Sequence, residues 1–141
     1  MKRGDTVDQM CPCGVRLPYV ACCGRWHAGP DRLKAPDAPS LMRSRYSAFV
    51  LDDLDYLLDT WHPSTRPITL DPNPPGMQWL GLELRGHADT GDDHATVEFV
   101  ARSKFAGRAQ RMHEVSRFTR EAGIWQYVDG DFPKEAKRAL R

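Results

Sequence analysis

The chain has 141 residues, enough for one domain with a small appendage. Its 20 Lys+Arg and 19 Asp+Glu leave a formal net charge of +1, which offers no bulk attraction for nucleic acid but leaves room for a local patch. Hydrophobic residues make up 40% of the chain yet never run for the roughly 20 positions a membrane helix needs, so no membrane span is expected. The start, Met1-Lys2-Arg3-Gly4-Asp5, is polar with no apolar signal segment after it, and the expected location is the cytoplasm.

Residues 1–10 are polar and expected to fray. All four cysteines follow in one stretch, C-P-C-G-V-R-L-P-Y-V-A-C-C-G-R-W-H, as Cys11, Cys13, Cys22 and Cys23. A segment this short cannot bury enough apolar surface to hold itself together, so something must close it. Disulfides need an oxidising compartment; a metal ion does not. Thiolates paired at both ends of a short loop bind zinc, and zinc is the default cofactor here, with iron in a four-sulfur site not excluded by the spacing. Gly14 and Gly24 follow the two pairs and can take left-handed conformations that turn backbone N–H groups toward sulfur. Cys23 is the preferred fourth ligand. His27, four residues on, is the alternative. Either set fills a tetrahedral ion and leaves no position for a reacting water, so the site reads as structural.

Residues 30–39, P-D-R-L-K-A-P-D-A-P, read as a Pro-rich linker. Ser40 is the expected N-cap of a helix whose apolar face is Met42, Tyr46, Phe49 and Val50, with Arg43, Ser44 and Ser47 elsewhere. Leu54, Leu57, Leu58 and Trp61 extend the pattern to a second short helix that Pro63 ends. Residues 62–78 are proline-rich loop. The period then becomes alternating, and strands are expected at Trp79–Arg85, His94–Phe105, Ala109–Arg120 and Ile124–Asp129, with turns at 89–93, 106–107 and 121–123. Phe132–Arg141 reads as a weakly held tail. Helices followed by hairpin-linked strands make an α+β domain.

Further blocks narrow the comparison. L-M-R-S-R-Y-S-A-F (Leu41–Phe49), T-W-H-P-S-T-R-P (Thr60–Pro67), W-L-G-L-E (Trp79–Glu83), V-E-F-V-A-R (Val97–Arg102), H-E-V-S-R-F (His113–Phe118) and W-Q-Y-V-D-G (Trp125–Gly130) stand behind the cysteine stretch. Together these resemble the YchJ-like family of small bacterial proteins, which join an N-terminal SEC-C metal-binding motif to a domain similar to nuclear transport factor 2. The resemblance implies a cone-shaped (cystatin-like) domain, a curved antiparallel sheet wrapped on N-terminal helices. It divides the chain into a SEC-C-like knuckle over 1–29, a linker over 30–39 and the cone domain over 40–141. Val15–Pro18 departs from the Ser-Gly-Lys-like turn usual in SEC-C motifs, which weakens any basic contact from that turn.

Arg45, Tyr46, Trp61, His62, Glu114, Phe118, Trp125 and Tyr127 are the candidate pocket residues of such a cone. Each also has a plainer reading. Glu98, Glu114 and Arg117 suit cross-strand pairs, His62 suits a helix end, and Trp61, Trp79 and Trp125 suit the core. No nucleophile sits beside a base in a recognisable motif and no phosphate loop is present, so no catalytic residue is assigned. The leading expectation is a metal-binding interaction module whose knuckle contacts a protein partner. One alternative is nucleic-acid or ribosome binding through Arg3, Arg16, Arg25, Arg32 and Lys34 with Tyr19 and Trp26 stacking. Another is a small-molecule-binding protein or enzyme using the cone. A homodimer through the sheet is compatible with each.

Overall fold

Alternation along the strands decides which side chains meet the helices. Val97, Phe99 and Ala101 point inward and are buried, while Arg102 on the other face is exposed. The computed structural model describes residues 9–133; the expectations for residues 1–8 and for the tail from 134 lie outside the described residues. Strands β1 (Gln78–Gly91), β2 (His94–Phe105), β3 (Arg108–Glu121) and β4 (Ile124–Asp131) form an antiparallel meander in the order β1-β2-β3-β4. The turns at Ala106-Gly107 and Ala122-Gly123 have positive φ at both residues, the twist that suits two-residue hairpins.

The first strand is longer than the sequence suggests. It was expected to stop at Arg85 with a turn over 89–93, but it runs to Gly91 and pairs with β2 as far as His94. Residues 86–91 are exposed, so no apolar alternation marks them, and backbone pairing alone holds them in the ladder. Register shifts at Trp79/Gly81, Leu84/Gly86 and Asp89/Gly91 bend this edge and curve the sheet.

The helices are α1 (Gly24–His27), α2 (Ala38–Leu51) and α3 (Leu54–Asp59). The N-cap of α2 is Asp37, not Ser40: the Asp37 carboxylate accepts from the Ser40 backbone N–H at 2.8 Å. Pro39 falls in the first turn, where its missing N–H costs nothing, so the helix starts inside the proline-rich stretch. Asp52 ends α2 in the left-handed conformation at φ 57°. Asp53 then caps α3 by accepting from the Tyr56 N–H.

The buried face of α2 is wider than expected. Met42 and Tyr46 are buried as anticipated, but so are Leu41, Ser44, Arg45, Ser47 and Ala48. The reason is tertiary. The sheet packs on one side of α2, the cysteine segment on another, and α3 alongside. The four cysteines share one packed cluster with Leu41, Met42, Tyr46, Val97, Phe99 and Phe118. Fully buried Leu41 and Val97 each contribute about 2 kcal/mol by leaving water.

Candidate metal centre and the cavity behind it

Residues 9–23 fold back on themselves around the cysteines. The Cys11 N–H donates to the Leu17 carbonyl at 2.9 Å, and the Tyr19 N–H to the Gln9 carbonyl at 2.8 Å. Gly14 sits at φ 93°, as its expected role requires. Gly24 serves a different purpose from the one expected: a Cβ there would lie 2.8 Å from the Tyr19 carbonyl oxygen, so only glycine lets α1 close against that residue.

The result is a tight sulfur cluster. The Sγ atoms of Cys11, Cys13, Cys22 and Cys23 all lie within 4.8 Å of one another, all are buried, and none is in a disulfide. Cys13 and Cys22 are 3.7 Å apart. Zinc–sulfur bonds of about 2.3 Å in a tetrahedron set sulfur–sulfur edges of about 3.8 Å, so the cluster is of the size that a four-coordinate ion requires. The electrostatics agree with that donor set. Hydrogen bonds from the Cys13 and Cys23 thiols pull Cys11 down. Burial, reinforced by Cys13, pushes Cys22 up to about 12. Hydrogen bonding to Cys11 and Cys13 pushes Cys23 up. Negative charge is thus favoured on Cys11 and resisted on Cys22 and Cys23, a conflict that a cation among the sulfurs would remove.

His27 is buried beside the cluster but faces away from it. Its Nε2 lies 2.8 Å from the Ser44 carbonyl oxygen, which can only accept, so Nε2 carries the proton. Burial holds the ring pKa below its usual value, so the ring is neutral and Nδ1 accepts from the Tyr19 hydroxyl. One nitrogen ties α1 to α2 and the other ties α1 to Tyr19 in the cysteine segment, so neither offers a free lone pair to a metal. Cys11 Sγ contacts Ser47 Oγ at 3.5 Å, and Arg43 Nη1 donates to the Cys13 carbonyl at 3.2 Å, adding two more ties to α2.

Of the candidate pocket residues, Arg45, Tyr46, Trp61, Glu114 and Tyr127 line one cavity of about 400 Å³ between α2 and the sheet. The others are not brought there. His62 and Phe118 line a separate groove, and Trp125 lies beneath Arg120 at 5.1 Å. The His62 ring does not cap a helix carbonyl; it meets Ser64 Oγ at 2.8 Å and Glu121 Oε2 at 2.9 Å. Glu114 makes its cross-strand pair as a hydrogen bond and not as an ion pair: its Oε2 accepts from Tyr127 Oη on β4 and from Ser116 Oγ on its own strand. Glu98 pairs with His113, and Arg117 with Asp129 and Asp131, as cross-strand pairing suggested. The cavity also takes Met42, Phe49, Asn73, Trp79, Phe99 and Met112, which the sequence reading did not place there. Phe99 shares a strand face with Val97 and Ala101 by alternation, whereas Asn73, in the proline-rich loop, carried no signal. It is held by the Trp79 Nε1–H at 3.2 Å and donates to the Phe49 carbonyl at 2.7 Å.

The basic residues near the knuckle are partly spent. Arg32 pairs with Asp59 at 3.0 Å, and Arg25 donates to the Cys22 carbonyl while lying over Trp26. Among the described residues, no helix is long and apolar enough to cross a membrane.

These features define a class: a small α+β protein with a curved four-stranded sheet over helices and a four-cysteine cluster packed on its first long helix. The family described as YchJ, middle NTF2-like domain, matches residues 37–130, and the chain belongs to the YchJ-like family. A UPF0225 protein of Bordetella pertussis is 60% identical over 131 residues, covering 93% of this chain and 98% of the relative. One from Methylibium petroleiphilum is 64% identical over 121 residues, covering 86% and 87%. The solution structure of a SEC-C motif containing protein from Rhodopseudomonas palustris superposes with a TM-score of 0.76 at 32% identity, covering 89% of this chain and 100% of that one. The crystal structure of a SEC-C motif containing protein from Psychrobacter arcticus gives 0.74 at 30% identity, covering 92% and 86%. The knuckle and the cone-type domain expected from the sequence thus stand together in one fold.

Proposed function

We propose that the protein binds one zinc ion through Cys11, Cys13, Cys22 and Cys23, and that the metal holds an interaction surface against the domain. The observation that carries this is the cluster of four buried sulfurs within 4.8 Å of one another. With four thiolates the ion has no open position, so its work is to fix the segment and not to activate water. Zinc is favoured over iron because it needs no redox poise to stay in place. Outside the sulfurs, the segment turns Met10, Leu17 and Val20 to solvent at 58%, 43% and 45% exposure, beside the exposed Arg16. Apolar side chains on a rigid turn with a cation at the rim suit a protein partner. Nucleic acid is the poorer fit, because Arg25 and Arg32 already have partners and Tyr19 is bound to His27.

Elemental analysis of the untagged full-length protein tests the metal: one equivalent of zinc is expected, and none from Cys13→Ser. A protein purified without any transition metal and still fully folded would contradict the reading. For the partner, Leu17→Glu combined with Val20→Glu is expected to lose captured protein while keeping its metal. An unchanged capture list would remove the knuckle from recognition.

A further inference from the structure

We propose that the cavity between α2 and the sheet binds a small, flat, apolar molecule ending in an amide-like edge, an acceptor beside a donor. The cavity, about 400 Å³, falls in the range of small-molecule sites, and aromatic and thioether side chains such as Phe49, Trp79, Phe99 and Met112 make half of its lining. Three charged residues interrupt it: Asp71, which is exposed, and two that are buried. Arg45 is 3% exposed and Glu114 is 5% exposed.

Neither charge is neutralised by a partner. Among the described residues, none of the ion pairs includes Arg45 or Glu114. The Arg45 hydrogen bonds all leave from Nη1, to the Leu57 carbonyl at 2.9 Å and Thr60 Oγ1 at 2.7 Å. Its guanidinium lies over the rings of Trp61 and Tyr127, 5.1 and 4.6 Å from their centroids. The Glu114 hydrogen bonds all end on Oε2, from Ser116 at 2.9 Å and Tyr127 at 2.8 Å. The Trp61 Nε1–H is also buried without a partner. Tyr127 therefore stands between the two charges, its ring under one and its hydroxyl on the other.

This leaves donors on Arg45 and the acceptor Oε1 on Glu114 for a third party. None of these leftover atoms is among the fully buried unpaired ones, so they open to the cavity, where an occupant that satisfies both gains by it. The two buried charges are opposite in sign, and neither alone sets the charge of an occupant between them, which favours a neutral one. A neutral group with a carbonyl for Arg45 and an N–H for Glu114 is an amide edge, and the aromatic wall selects a flat body behind it.

The test uses the metal-loaded full chain and three probes of one shape: benzamide, benzoate and toluene. Binding is read by titration of the tryptophan indole N–H resonances in a nitrogen-15 spectrum, which also reports that each variant is folded. Wild type is expected to hold benzamide about tenfold more tightly than benzoate or toluene. In Glu114→Gln, Ser116 and Tyr127 keep the amide oxygen, and the new NH₂ replaces the free acceptor with a donor. That variant is expected to prefer benzoate to benzamide. Ala101→Leu, which adds bulk at the cavity wall, is expected to weaken all three probes. Toluene binding as well as benzamide, no saturable shift at millimolar probe, an unchanged order in Glu114→Gln, or full binding in Ala101→Leu would each overturn the proposal.

Discussion

Cys11 Sγ and Ser47 Oγ meet at 3.5 Å, although 36 positions of sequence separate them. The contact joins the sulfur cluster to the middle of α2, the helix that carries Arg45 and Tyr46 into the cavity on its other side. A metal among these sulfurs therefore braces the domain as well as the loop. Structural zinc is worth about 10–16 kcal/mol in small peptides, comparable with the 5–15 kcal/mol that holds a whole domain folded. Removing the metal with a strong chelator is expected to broaden or abolish the cooperative thermal transition, followed by circular dichroism. A melt that does not move would mean that α2 stands without the ion.

The ring nitrogens of His27 tie α1 to α2 through the Ser44 carbonyl and to the Tyr19 hydroxyl, and both are engaged there. His27→Ala is expected to lower stability by about 2–3 kcal/mol, from two lost hydrogen bonds and a stranded carbonyl, while keeping one metal per chain. Cys23→Ser is expected to lose metal affinity. Metal titration of both variants separates the two roles. Full loading of Cys23→Ser with loss in His27→Ala would exchange the assignments.

At the start of α2, the side chain of Asp37, not Ser40, reaches the helix N–H groups. Asp37→Ala is expected to cost about 1 kcal/mol in denaturant unfolding. Ser40→Ala is expected to stay within about 0.5 kcal/mol of wild type, as a substitution away from such features does. The reverse ranking would move the cap.

Gly130 is the point of closest approach between β4 and the buried carboxylate. A Cβ there would lie 2.1 Å from Glu114 Oε2 and 2.8 Å from its Cδ. Gly130→Ala must displace Glu114 from Ser116 and Tyr127, at a cost of about 1–3 kcal/mol. Differential scanning calorimetry should register a fall of several degrees. An unshifted melting temperature would show that the carboxylate has somewhere else to go.

Local signals were enough for much of the architecture. Alternation along β2 puts Val97, Phe99 and Ala101 on one face, which the structure buries, and Ala-Gly pairs marked two hairpin turns. Four cysteines in thirteen positions announced the cluster, because a short segment has no other means of holding itself together. What spacing could not provide was the neighbour on the far side of each element. Ser44 and Ser47 look like solvent-facing residues of an amphipathic helix until α3 and the cysteine segment cover them. Glu114 is the cross-strand partner that alternation suggests, through Tyr127, but spacing does not tell that both of its bonds end on Oε2 in a cavity wall.

The division follows from the range of the forces. Periodicity, turn conformation and thiolate affinity act over a few residues, so the chain by itself determined the helices, most of the strands and the metal ligands' neighbourhood. Burial of a polar side chain depends on which distant surface lands on it. Only the tertiary packing of α2 between sulfur cluster and sheet decided that the arginine and the glutamate expected at one pocket line it without a direct ion pair between them.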